Sequence, residues 1–277
     1  MIDLHCHILP FVDDGSGSME ESLEMAKIAV NDGIEAIVAT PHWTVGVYSF
    51  STSWLESRVD NLNNELKRSA IPLTIYPGSE IQLEPCLTAK LRTGCLTTIN
   101  NSRYVLIELP SVFLTAPIKN ELYDLLINGF VPIIAHPERH AEIRKNPEFL
   151  EDLIEMGCLG QVTAESITGG FGRHLEIIAG QLVKNRLVQI VASDAHSKNW
   201  RPPVLSEAIE KIARLLGNSE EAEKMATETP QAILADKDII SSGYRPDKEV
   251  PYENYSVKRG NGITGFASHL NWFQNRI

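Results

Sequence analysis

Short apolar runs of strand length alternate with amphipathic stretches of helical length along this chain, and the runs keep ending in side chains that bind metals. The series begins at Asp3-Leu4-His5-Cys6-His7, closely followed by Asp13-Asp14-Gly15. It continues through Thr40-Pro41-His42, Gly78-Ser79-Glu80, Leu106-Ile107-Glu108 and Ala135-His136-Pro137-Glu138-Arg139, and closes at Ser193-Asp194-Ala195-His196. In a strand, alternate residues share a face, so His5 and His7 are expected to project together into one pocket, with Asp3 below them and Cys6 turned to the opposite face as a buried small hydrophobe.

Residues 1–8, 34–39, 73–77, 104–109, 131–135, 159–163 and 188–192 read as strands, and 18–32, 53–69, 116–128, 147–156, 172–184 and 203–216 as helices. Ser18 is placed to cap the first helix with Glu21 in a capping box, and Gly33 lies near its end. Strands alternating with helices imply right-handed βαβ units and a parallel sheet. Seven such strands without a glycine-rich nucleotide fingerprint predict an α/β barrel rather than an open sheet. The candidate ligands sit at or just past strand C-terminal ends, apart from the pair inside the first strand, and that end of a β/α barrel carries the active site.

The 277 residues are enough for one large domain with a substantial core. A hydrophobic content of 43% with 22% charged residues belongs to a globular chain, and a net charge of −11 argues against a broad nucleic-acid surface. There is no signal-peptide pattern and no apolar run near the roughly 20 residues of a membrane span. Cys6, Cys86, Cys95 and Cys158 form neither a Cys-x-x-Cys pair nor a disulfide framework, so a reducing cytoplasm is the expected compartment. From about Ser241 the texture changes: Gly243, Pro246, Pro251, Gly260, Gly262 and Gly265 punctuate a segment holding Tyr244, Tyr252 and Tyr255, and the chain ends with Phe266, Leu270, Trp272 and Phe273. The expected organisation is a domain over 1–240 and an appended arm over 241–277, docked on its own barrel or on a neighbouring copy, which leaves a homo-oligomer open.

His5, His7, Asp14, His42, Glu80, Glu108, His136, Asp194 and His196 exceed what one metal needs. Imidazole with carboxylate suits zinc, iron or manganese, whereas an all-oxygen set would suit magnesium or calcium. Two or three ions sharing a bridging carboxylate would use all nine and clamp both oxygens of a displacement. Any one of these residues alone is more often structural: Asp14 would serve a turn with Gly15, and His42 or His136 would be a hydrogen-bonded core residue. Their recurrence at corresponding strand ends is what favours a cluster. Asp13 is expected in a turn, and Asp3 as support behind the ligands.

Arg139 and Arg201 lie close to His136 and Asp194 in sequence. Guanidinium forks bind phosphate bidentately and stabilise charge on a transferring phosphoryl group. Cys86 and Arg92 match the Cys-x5-Arg spacing of cysteine-dependent phosphatases, but Leu87, Ala89, Lys90 and Leu91 read as a helix and cannot wrap backbone amides around a phosphate; the match is taken as accidental.

Asp3 to Pro10, Asp13-Asp14-Gly15, Ala39 to His42, Gly78-Ser79-Glu80, Ile107-Glu108-Leu109-Pro110, Ala135 to Arg139 and Ala192 to His196 together resemble the polymerase and histidinol phosphatase (PHP) superfamily. Within it they are most similar to the bacterial tyrosine-protein phosphatases of capsule and exopolysaccharide loci. The likeness spans roughly residues 1–240. It implies a distorted (β/α)7 barrel with the metal site at the C-terminal ends of the strands, holding two or three divalent ions, manganese first and iron or zinc as alternatives. By that resemblance, His5, His7, Glu80 and Asp194 would hold one ion, Glu80, Glu108 and His136 a second, and Asp14, His42 and His196 a third. Arg139 and Arg201 would contact phosphate.

The implied substrate is phosphotyrosine on a bacterial tyrosine kinase that controls polysaccharide synthesis, cleaved by attack of a metal-bound hydroxide without a phosphoenzyme. Two other readings stay open: a PHP phosphatase for a small monoester such as histidinol phosphate, and a barrel kept only for binding. A metal-dependent amidohydrolase ranks below both, because a lysine-bridged site has no counterpart here.

Overall fold

The structure of the protein, a computed structural model, describes residues 1–111 and 116–239. β1 (Ile2–Cys6) leads through α1 (Met19–Asn31) into β2 (Ala36–Ala39), which breaks at Thr40-Pro41 and resumes as β3 (His42–Trp43). After α2 (Thr52–Arg68), β4 (Thr74–Pro77) breaks in the same way at Gly78-Ser79 and resumes as β5 (Glu80–Gln82). The chain continues through α3 (Leu87–Arg92), β6 (Tyr104–Glu108), α4 (Ala116–Ile127), β7 (Val131–Ala135), α5 (Ala141–Lys145) and α6 (Glu148–Met156). β8 (Leu159–Thr163), α7 (Ala164–Thr168), α8 (Arg173–Lys184) and β9 (Ile190–Ala192) follow, and α9 (Ser206–Leu216), α10 (Ser219–Lys224) and α11 (Glu228–Leu234) come last. The arm expected over 241–277 lies outside the described residues.

All strand pairs are parallel, in the orders β1-β2-β4 and β3-β5-β6-β7-β8-β9. The breaks in β2/β3 and β4/β5 fall side by side, so the two sheets continue one another. The first and last strands meet through a parallel bridge between Cys6 and Ala195: Asp194 N donates to the His5 carbonyl and His7 N to the Ala195 carbonyl, both at 2.8 Å. Taking each broken strand as one, the ring has the seven members expected of a distorted (β/α)7 barrel.

The strand pleat sorts the core into two clusters. Val38, Tyr104, Leu106, Ile133, Leu159 and Ile190 face one another across the barrel, and Ile99 and Ile233 close one end. Their neighbours Ile37, Val105, Ile107, Ile134, Val162 and Val191 face the helices. Truncating one such fully buried leucine costs about 2–5 kcal/mol, against about 0–1 kcal/mol for an exposed ion pair, so these clusters rather than the surface hold the ring together.

β1 departs from strict alternation. Leu4 belongs to the inner cluster and Cys6 to the outer one, although they are two residues apart. The pairing register of β1 shifts between Asp3 and Cys6, and a bulge of this kind re-aims the side chains beyond it. Asp3 therefore does not follow His5 and His7 by simple alternation. Its carboxylate instead joins the barrel ends, accepting from Ser193 N (3.0 Å), Ser193 Oγ (2.5 Å) and His5 N (3.3 Å). Cys6 is fully buried, as expected.

The sequence punctuation works locally. Ser18 Oγ accepts from Glu21 N at 3.1 Å, and the Glu21 carboxylate accepts from Gly17 N at 3.0 Å, one residue outside the expected box. At the β4/β5 break Gly78 is required by space, since a Cβ there would lie 2.6 Å from Val38 Cγ1. Among the described residues no helix is long and apolar enough to cross a membrane.

Candidate metal centre

The strand ends bring all nine predicted ligands into one neighbourhood. His5 Nε2 and His7 Nε2 face each other at 3.1 Å. Glu80 Oε2 lies 3.4 and 3.5 Å from these nitrogens, and Asp194 Oδ1 3.3 and 3.4 Å. Donor atoms held about 2.1 Å from a shared tetrahedral or octahedral centre stand roughly 3.0–3.4 Å apart, so the two imidazole nitrogens have ligand spacing from each other and from each carboxylate oxygen.

Hydrogen bonds behind the rings fix which nitrogen points inward. His5 Nδ1 donates to Gln161 Oε1 at 2.9 Å and His7 Nδ1 to Asp13 Oδ2 at 2.6 Å. Each therefore turns Nε2 to the cluster, the arrangement by which metal-bound imidazoles are oriented. Two facing lone pairs at this distance repel unless a proton or a cation lies between them. Glu80 Oε2 is buried without a hydrogen bond of ordinary geometry, although His42 Nδ1 stands 2.9 Å away. A metal fits both observations.

Glu80 is the hub. Besides His5, His7 and His42, it pairs through Oε1 with His136 Nε2 at 2.7 Å. Ligand atoms converge in four overlapping groups: His5, His7 and Glu80; His5, His136 and Asp194; His42, Glu80 and Glu108; and His7, Asp14, His42 and His196. Two of the expected sets do not recur as single groups: Asp194 falls with His5 and His136 rather than with His7 and Glu80, and Glu108 falls with His42 while His136 falls with His5. Asp14, whose side chain is half exposed, stands 3.5 Å from His42 Nε2 and 3.6 Å from His196 Nε2.

The electrostatics follow from crowding charges out of water. Burial alone would lower His7, but Asp13 outweighs it and holds the imidazole well above its usual pKa. Burial likewise opposes protonation of His42, yet Glu80 lifts it to about 9. Burial would raise Glu80 and Asp194, but His5 and His42 pull the first well below the usual carboxylate range, and Arg139, His5 and Arg201 the second. Glu108 is raised by burial and by Glu80. His196 is pushed down to about 2 by burial and by the cationic His7. The carboxylates thus gather positive charge onto His7, His42 and His136, the condition that bound cations relieve.

The two arginines close one side. Both Arg139 and Arg201 ion-pair with Asp194 Oδ2, and both guanidinium groups lie over the Phe171 ring, at 4.8 and 5.6 Å. Arg139 Nη2 also donates to Thr163 Oγ1 at 2.9 Å. His136, Asp194 and Arg201 have positive φ values of 33°, 52° and 60°; such conformations are costly for residues with a Cβ and concentrate at functional sites. Glu138 has a structural task, with Oε1 accepting from Thr163 N at 3.0 Å. His140 accepts from Glu142 N at the start of α5, away from the cluster.

Gln161, Thr163 and Phe171 were not among the sequence candidates. Gln161 left one trace, an amide inside the apolar strand Leu159–Thr163; Phe171 left none beyond its glycine-rich loop. Asp13 does serve a turn, accepting from Gly15 N at 3.0 Å, but it also orients His7 and accepts from His42 N at 2.9 Å. Cys86 has no place in the cluster, and Leu87–Arg92 is a helix as expected.

The family described as capsular polysaccharide synthesis, CpsB/CapC, matches residues 1–235. Tyrosine-protein phosphatase YwqE of Bacillus subtilis (strain 168) is 39% identical over 90% of this chain and 97% of its own length. Putative tyrosine-protein phosphatase CapC of Staphylococcus aureus is 32% identical over 95% of this chain and 100% of its own. A crystal structure from work on YwqE from Bacillus subtilis and CpsB from Streptococcus pneumoniae, described as unique metal-dependent tyrosine phosphatases, superposes with a TM-score of 0.85 at 39% identity and covers 90% of this chain and 100% of that one. A barrel with these strand-end residues, matched along nearly its whole length, belongs to the CpsB/CapC family of capsular polysaccharide synthesis.

Proposed function

We propose that this protein is a metal-dependent phosphatase that hydrolyses phosphotyrosine on a protein substrate, a bacterial tyrosine kinase controlling capsule or exopolysaccharide synthesis. The observation that carries the reading is that Glu80 Oε2 and Asp194 Oδ1 both approach His5 Nε2 and His7 Nε2 at 3.3–3.5 Å, with the two nitrogens 3.1 Å apart, beside two arginines. The family, and the tyrosine-phosphatase names of its relatives, support it.

His5, His7, Asp14, His42, Glu80, Glu108, His136, Asp194 and His196 would hold two or three divalent ions, manganese first, with iron or zinc as alternatives. Bound there, such ions polarise phosphoryl oxygens and acidify water. The chain supplies the rest. Gln161 and Asp13 keep the two facing imidazoles in one tautomer. Arg139 and Arg201 present guanidinium N–H groups to the phosphoryl oxygens, where charge spreads as the ester bond breaks. Phe171 beneath both guanidiniums keeps them aimed at the same point. Asp194 bonds both arginines and offers Oδ1 to the cluster, so it couples phosphate binding to the metal site.

The test is phosphate release from a phosphotyrosyl peptide by metal-stripped protein with manganese, zinc or iron restored separately. Hydrolysis regained with metal and lost in His42→Ala supports the reading. A fully loaded site that releases no phosphate would sink it.

A further inference from the structure

Beside the cluster opens a cleft of about 420 Å3, walled by Phe11, Val12, Val47, Tyr48, Phe50 and Trp54. It abuts the metal-binding residues directly. The Tyr48 ring stacks on His42 with centroids 6.1 Å apart and planes at 19°, and Phe11 and Val12 immediately precede Asp13 and Asp14.

The apolar side chains of this cleft stand in water. Phe11 is 77% exposed and Val47 70% exposed. Phe11 is also held at φ 61°, a conformation unfavourable for a bulky residue. Neither loop is loosely placed: Phe11 N donates to the Ser16 carbonyl at 3.0 Å, and Thr44 and Tyr48 exchange backbone hydrogen bonds of 2.8 and 3.0 Å around the turn that presents Val47. Phe50 and Trp54 stack at 5.5 Å to form the floor. Apolar surface held rigidly outward beside a polar centre marks a ligand contact.

The geometry points to this cleft as an aryl-binding subsite that receives the aromatic ring of the phosphate ester. The inference rests on the phosphatase reading above and deepens it. A phosphoryl group held among the metal ligands and arginines must point its ester substituent out of the charged centre. At the His42 side the next surface is Tyr48, followed by the rings of Phe11, Phe50 and Trp54 and by Val12 and Val47, with polar atoms of the same lining, the Ser49 and Ser51 residues among them, set between them. Its rings suit the flat face of an aryl group, which gains by leaving water and by stacking.

The test compares wild type with Phe11→Asn and Val47→Ser. Asparagine tolerates the positive φ, so the first change removes the ring without forcing the loop to rearrange. The readout is the ratio of kcat/KM for 4-nitrophenyl phosphate and a phosphotyrosyl peptide over that for glycerol 2-phosphate, taken for each variant relative to wild type so that leaving-group reactivity cancels. Calorimetric binding of phenylphosphonate against methylphosphonate, neither of which turns over, gives a second readout. The aryl preference should fall about tenfold in each variant, the scale expected when one apolar side chain no longer shields the ring from water. The fall should come through KM rather than kcat and in parallel with weaker phenylphosphonate binding. An unchanged preference, or equal loss for aryl and alkyl ligands, overturns the subsite. If phenylphosphonate binding depends on the cleft while wild type hydrolyses no phosphotyrosine, the subsite stands and the phosphatase reading fails.

Discussion

His5 and His7 face each other through Nε2 at 3.1 Å because each ring is gripped from behind by a different side chain, Gln161 on one and Asp13 on the other. The grip on His5 depends on a neutral amide that is fully buried. Gln161→Leu should keep the volume of the strand but free the ring to rotate and change tautomer. Metal affinity should fall roughly 10–100-fold, with circular dichroism unchanged. Titration of metal-stripped protein with manganese measures it, and an unaltered dissociation constant would rule out an orienting role.

Acid should weaken metal binding for a related reason. His42 is raised to about 9 by Glu80 against the effect of burial, and His7 is raised well above its ordinary range by Asp13. While these imidazoles are protonated a cation must displace protons to reach the nitrogens. Affinity should therefore climb as pH rises from 6 to 9, and binding at pH 7 should release protons. Calorimetry in buffers of different ionisation enthalpy reads that release; zero protons released would contradict it. Stability of the metal-stripped protein follows its own sign. A raised His42 stabilises the fold below its ordinary pKa, and that contribution is lost as pH climbs through about 9. Asp13, lowered to about 2 by His7 against burial, stabilises above its ordinary pKa, and that contribution is lost as pH falls through about 2.

Which parts of this site were legible follows from how each residue is specified. Strand-end candidates such as Glu108, His136 and Asp194 interrupt apolar runs at a regular place, so their pattern survives in one dimension. The inward aim of His5 and His7 was right for an incomplete reason: the bulge between Asp3 and Cys6 sets it, and a bulge has no marker in the sequence. β3 and β5 went unseen because they are two and three residues long and exist only as continuations of β2 and β4. Gln161 and Phe171 act across the barrel, from β8 to β1 and from the Gly169–Gly172 loop to Arg139 and Arg201, and such contacts have no local period to read.

Arg139 and Arg201 share the carboxylate of Asp194, yet their removal should be felt in turnover more than in metal content. Arg139→Ala or Arg201→Ala should lower kcat roughly 100-fold or more, as expected for a lost donor to developing charge. Asp194 keeps one arginine in either variant, so metal binding should survive. Arg139→Lys should recover little, because an ammonium cannot reproduce a planar fork stacked on Phe171. Kinetics alongside elemental analysis separate the roles, and loss of metal in Arg139→Ala would make that arginine structural.

The cysteines provide a check on the chemistry itself. Cys6 is fully buried, and burial together with the nearby Asp3 pushes its thiol well above the ordinary value; burial alone takes Cys158 up to about 12. Both should resist iodoacetamide in the folded protein, whereas the exposed Cys86 and Cys95 should react. A phosphatase that worked through a cysteinyl phosphate on Cys86 would be inactivated by that labelling. Cys86 belongs to none of the groups of converging donor atoms, so alkylated protein, and equally Cys86→Ser, should retain full activity toward a phosphotyrosyl peptide. Mass spectrometry locates the label and a turnover assay follows it. Loss of activity in step with modification of Cys86 would replace direct displacement by a covalent mechanism.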